Sequence, residues 1–132
     1  MAERYFGPEE VEALIPDLTQ LMGEVMERHA VMSTLGERVK EERARLAMVG
    51  GGLPAPSWRE DVRTLGRLTE EVKERLGRIL ALGGVPKDLT IGLVDFPHLR
   101  AGREVNLCWQ HGERAIRFWH GLDEGYAARK PL

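Results

Sequence analysis

Val11, Leu18, Val25, Met32, Val39 and Leu46 recur every seven residues, with Leu14, Leu21 and Leu35 between them. A seven-residue apolar repeat sustained over five turns of the repeat confines the segment to a helix with a narrow seam of the coiled-coil kind. The start is marked by "FGPEE": Gly7 caps, Pro8 takes a first-turn position whose N–H has no partner anyway, and Glu9 and Glu10 sit at the positive end of the dipole. Pro16 interrupts the seam and predicts a bend near residues 12–16. The first helix therefore spans 8–48.

"VGGGLPAP" cannot continue it, and Ser57 with Glu60 three residues on reads as a capping box for a second helix over 57–82. Trp58, Val62, Leu65, Val72, Leu76 and Ile79 form the facing seam, and Gly83, Gly84 and Pro86 end it. Two helices joined by so short a loop lie antiparallel. Their lengths, roughly 60 and 38 Å at ~1.5 Å per residue, leave the start of the first helix without a helical partner. That stretch holds Val11, Leu14, Ile15, Leu18, Leu21 and Met22, so something else must cover it.

The last third supplies the cover. "LTIGLVDF", "REVNLCW" and "RAIRFWH" alternate as strands, with "PHLRAG" and "QHGE" as turns, which predicts a three-stranded antiparallel meander over 89–120 and a tail over 121–132. The fold class is thus α+β, one domain: a long helical hairpin followed by a meander packed on the N-terminal part of the first helix. If the second hairpin closes around His111 and Gly112, Arg103 faces His120, and Cys108 lies about five rows away, on the order of 16 Å. A shared ion at Cys108 and His120 is rejected on that spacing. The same parity sets Ile91, Leu93, Val105, Leu107, Trp109, Ile116 and Phe118 on the core face, with Asp95, Arg103 and His120 at its end. It sets Val94, Phe96, Cys108 and Trp119 on the other face.

Composition narrows function. With 132 residues, 42% hydrophobic and net charge −2, the chain suits one core and disfavours a general nucleic-acid or anionic-membrane binder. RNA binding through Arg103, Arg117 and Trp119 is accordingly disfavoured. No leader pattern or membrane-length apolar run is visible, and the single cysteine excludes an internal disulfide, so a cytoplasmic location is expected. Catalytic spacings are missing: no phosphate-cradling glycine loop, no paired helical histidines, no nucleophile elbow.

"GLVDFP", "GREVNLCW", "GERAIRFWH" and "LDEGYAARKPL", with the opening "FGPEEVEALIPDL", resemble the domain of unknown function 2203 family of bacterial proteins over nearly the whole chain. One departure is Gly7, where that family tends to have Thr or Ser. The resemblance implies no established activity. Its motif positions fall here on Cys108, Trp109 and Trp119 among others, and its polar members on Asp95, Glu113, His120, Asp123 and Arg129, more than a bare fold requires.

Two functions are expected from these observations. The first, and favoured, is a non-catalytic interaction module that self-associates, most simply as a dimer, or grips a protein partner, with no cofactor. The alternative is a small-molecule or metal site, perhaps hydrolytic, at the end of the sheet. Its ligand-binding candidates are Asp95, Arg103, Trp119, His120, Asp123 and Arg129, and Asp95, His120 and Asp123 are its metal candidates. Against this stands a plain clasp, in which the tail packs on the sheet and an internal aspartate neutralises Arg129.

Overall fold

The computed structural model describes residues 2–132. A short helix α1 (Pro8–Glu12) leads into α2 (Ile15–Met48), which the loop over 49–57 joins to α3 (Trp58–Leu82). The break between α1 and α2 falls where Pro16 requires it, because Pro16 takes a first-turn position in α2, where its missing N–H has no helical partner to lose. At the other start Glu10 accepts a hydrogen bond from the Gly7 amide at 3.0 Å, which caps α1 without a Ser or Thr. Ser57 is the N-cap of α3, yet its side chain makes no capping bond. The expected capping box is therefore not formed there.

Helices α2 and α3 pack antiparallel, and three ion pairs record one register. Arg28 meets Glu71 at 2.9 Å, Arg75 meets Glu24 at 2.8 Å and Arg38 meets Asp61 at 2.9 Å. Leu35, Val39, Leu68, Val72 and Ile79 are buried in the seam. Ion pairs that remain in reach of water add little, so burial of the seam dominates. At the far end Glu42 accepts hydrogen bonds from Arg45 and from the Ala55 amide, tying the loop to α2.

The rest of the chain is an antiparallel sheet of five strands in sequence order: β1 (Val85–Asp88), β2 (Leu93–Arg100), β3 (Arg103–Gln110), β4 (Phe118–His120) and β5 (Lys130–Pro131). The meander is thus larger than expected, since short strands from "VPKD" and from the tail extend both edges. As expected, it covers the start of the long helix: Val11, Leu18, Leu21 and Met22 share one core with Val94, Phe96, Leu107, Trp109 and Ile116.

Register and faces need correction. β2 continues through Pro97 to a tight turn at Ala101 and Gly102, both with positive φ, so "PHLR" is strand. Pro97 is tolerated because β1 pairs with β2 only as far as Asp95, and beyond it Phe6 donates to the Pro97 carbonyl at 2.7 Å. Between β3 and β4 the connection runs over residues 111–117. Asn106, rather than Arg103, faces His120, a shift of three residues that reverses the parity of β4 against β3. The core face therefore carries Val94, Phe96, Val105, Leu107, Trp109 and Trp119. The outer face carries Leu93, Asp95, Asn106, Cys108, Phe118 and His120.

Gly92 is a constrained turn position directly before β2. Its φ is +75°, and an added Cβ would lie 2.7 Å from His111 Cβ and 2.8 Å from Met26 Sδ. Gly92→Ala is expected to lose about 2 kcal/mol or more of stability in chemical denaturation. A change within a few tenths would contradict this account. For Glu42, the Arg45 hydrogen bond, then the Ala55 amide, lower its carboxyl to about 2 from an ordinary 4.5. Its contribution is complete above pH ~4.5 and lost as pH falls through about 2. The stability gap between wild type and Glu42→Gln should thus be present at pH 7 and close toward pH 2.

Candidate metal centre

Three adjacent strands each place one donor on the outer face. Asp95 of β2 stands directly opposite Cys108 of β3, and His120 of β4 stands opposite Asn106, two residues along β3 on the same side. One donor atom from each of Asp95, Cys108 and His120 lies within 4.8 Å of the others. The side chains are enclosed: Asp95 is 3%, His120 2% and Cys108 1% exposed. The separation of about 16 Å expected between Cys108 and His120 is therefore overturned, and with it the ground for rejecting a shared ion. It rested on a two-residue hairpin at His111 and Gly112, and the longer connection brings the two strands into a different register.

The hydrogen bonding around His120 is specific. Nδ1 donates to the Gly121 carbonyl at 2.8 Å, since a carbonyl can only accept. This turns Nε2 toward Asp95 Oδ2 at 3.0 Å. Without an ion that contact requires a proton between the two atoms. Asp95 Oδ1 is buried without any hydrogen-bond partner, an arrangement that costs about 1–3 kcal/mol when left uncompensated. Burial, and after it the Asp95 charge, push the Cys108 thiol up to about 12. It is thus a protonated group in the absence of a cation, and a free reactive thiolate is ruled out.

A cavity of about 120 Å³ opens in front of the three donors, lined also by Lys87, Leu93, Asn106, Leu122, Glu124, Gly125 and Tyr126. The tail forms its outer wall. Tyr126 donates to Gln110 at 3.1 Å, and Arg129 holds Glu113 through two contacts of 2.8 and 2.7 Å and reaches the Cys108 carbonyl at 3.3 Å. Arg129 also lies 4.1 Å over the Phe118 ring. This is the clasp, with Glu113 in place of the expected aspartate. Glu113 serves the turn as well, accepting from the Gln110 amide at 2.7 Å.

The six candidates from the sequence divide three ways. Asp95 and His120 belong to the cluster, which sits mid-sheet on the outer face, not at the sheet's end. Arg103, Trp119 and Asp123 line an adjoining, larger groove of about 570 Å³ with Arg100, whose guanidinium lies 4.7 Å from the Trp119 ring centre. Asp123 is exposed and outside the cluster, which removes it as a co-ligand of Asp95 and His120. Arg129 belongs to the clasp. Cys108, Asn106 and Lys87 were missed. The first was signalled by its motif position, but Lys87 had no signal, because β1 is four residues long and contains Pro86.

Fold and cluster together define a small α+β protein with a buried mixed-donor site strapped under its tail. The chain belongs to the family described as an uncharacterized conserved protein, DUF2203, which matches residues 4–132. No curated protein and no solved structure shows significant similarity to it. Among the described residues no helix is long and apolar enough to cross a membrane.

Removing one partner of the partly buried Arg129–Glu113 pair should loosen the wall. Arg129→Met is expected to lose about 2 kcal/mol and to expose the segment after Gly121 to limited proteolysis while the helices remain protected. Uniform protection of the tail in that variant would disprove the clasp.

Proposed function

We propose that the protein binds one divalent transition-metal ion, zinc being the best match, through Asp95, Cys108 and His120. The observation that carries the reading is a buried oxygen, sulfur and nitrogen donor set within 4.8 Å that leaves a carboxylate oxygen without a partner. A hydrogen-bonded Asp–His pair, with the Cys108 thiol leaning on the same carboxylate, accounts for Oδ2, Nε2 and the thiol but leaves Oδ1 without a hydrogen-bond partner. Thiolate and imidazole favour zinc among available ions, and a carboxylate disfavours copper(I). Donor separations around zinc are about 3.3–3.8 Å from bonds of about 2.0–2.3 Å, so the 3.0 Å pair needs to open only slightly. The Gly121 carbonyl fixes the tautomer that offers Nε2, the outer-shell support that metal-binding histidines use.

Three protein ligands facing a small cavity leave a coordination position open, the arrangement of catalytic rather than purely structural zinc sites. This supports the metal-binding alternative over a bare interaction module. Self-association through the outer face of the sheet has less behind it, because the chain's own tail lies along that face.

The test is metal analysis of untagged protein after growth with zinc, joined to cobalt substitution. One ion per chain, a thiolate-to-cobalt absorption band, and a melting temperature higher by on the order of 10 °C are expected. All three should vanish in Cys108→Ser and in His120→Ala. Protein that takes up no zinc or cobalt while folded would overturn the proposal.

A further inference from the structure

We propose that the open coordination position takes a small monoanion of the carboxylate or bicarbonate kind, with Lys87 as its counter-charge. The inference rests on the metal reading above, and adds to it the class of ligand the chamber selects.

Charge gives the first argument. A divalent ion with one carboxylate, one thiolate and one neutral imidazole is electrically neutral as a unit. Of the other charged side chains lining the chamber, Glu124 is neutralised by Lys130 at 2.6 Å and is further held by the Gly121 amide at 2.7 Å. Glu124 is thus engaged elsewhere and is not a spare fourth ligand. Lys87 remains, and among the described residues it forms no ion pair. The occupied chamber would carry one net positive charge, which a monoanion cancels and a neutral ligand or a dianion does not.

Backbone geometry gives the second. The pairing of β1 with β2 shifts between Pro86 and Asp88, so Lys87 is the extra residue of a bulge, while Val85 still pairs with Asp95. Lys87, two residues after Val85, falls by strand alternation on the face that carries Asp95, and it lines the same chamber. Size gives the third. About 120 Å³ accommodates roughly four water-sized groups, at ~30 Å³ each. Formate, acetate, azide and bicarbonate fit that space, whereas a nucleotide, a peptide or an aromatic acid does not.

Cobalt-loaded protein is titrated with formate, acetate, azide and benzoate while its visible absorption is recorded. Saturable spectral shifts are expected with the three small anions and none with benzoate. Lys87→Met should weaken the small anions by on the order of tenfold, and Lys87→Arg should restore most of the affinity. Lys87 is exposed, so neither variant threatens the fold. If cobalt binds with its thiolate band but no small anion perturbs the spectrum, the monoanion proposal falls while the metal reading stands. Equal affinity in Lys87→Met, or binding of benzoate as tight as acetate, also overturns it. Absence of cobalt binding overturns both.

Discussion

The seven-residue connection between β3 and β4 determines what the outer face of the sheet can do. Glu113 folds the chain back on Gln110, and the chain then runs on until Ile116 reaches the core, where its amide donates to Glu12 at 3.0 Å. Only after that anchor does β4 begin. A connection shorter or longer by one residue would invert β4 and point His120 into the helical core. The relation of imidazole to thiol thus depends on a buried isoleucine and a helix carboxylate on the other side of the sheet's core.

Two unequal layers result. The inner layer, between sheet and helices, is apolar and large, and supplies most of the folding free energy through burial. The outer layer is thin: three titratable side chains, an aromatic ring and a strap of tail held mainly by one guanidinium nitrogen of Arg129 on Glu113. Burying a carboxylate, a thiol and an imidazole together adds little to stability and costs desolvation. The fold tolerates that cost because the inner layer does not depend on it.

The helices, the break before Pro16 and the docking of the sheet on α2 were legible because each follows from long-range apolar spacing or from the chemistry of proline. Strand existence was legible too, but strand phase was not. The run from Leu93 through Phe96 is buried on both sides, so alternation could not say which side was which. Alternation carried from Ile91 to Leu93 passes through Gly92, whose turn resets the phase. Turn residues in "QHGE" do make a turn, but they do not begin the next strand. Asp95 and His120 do share one face, but it is the outer one and not the core face that alternation predicts. Cys108 was lost because its side relative to His120 depends on connection length, which local turn chemistry does not encode.

The strap has a mechanical consequence. β5 is only two residues long and meets β4 at two positions, whereas β2 and β3 pair along their full length. The outer wall can therefore detach and reseat as a unit of low local stability, with the sheet and helices intact. Opening of the wall would in that way be uncoupled from folding, and it requires Arg129 to leave Glu113 and the Cys108 carbonyl, Tyr126 to leave Gln110 and the two β5 positions to part.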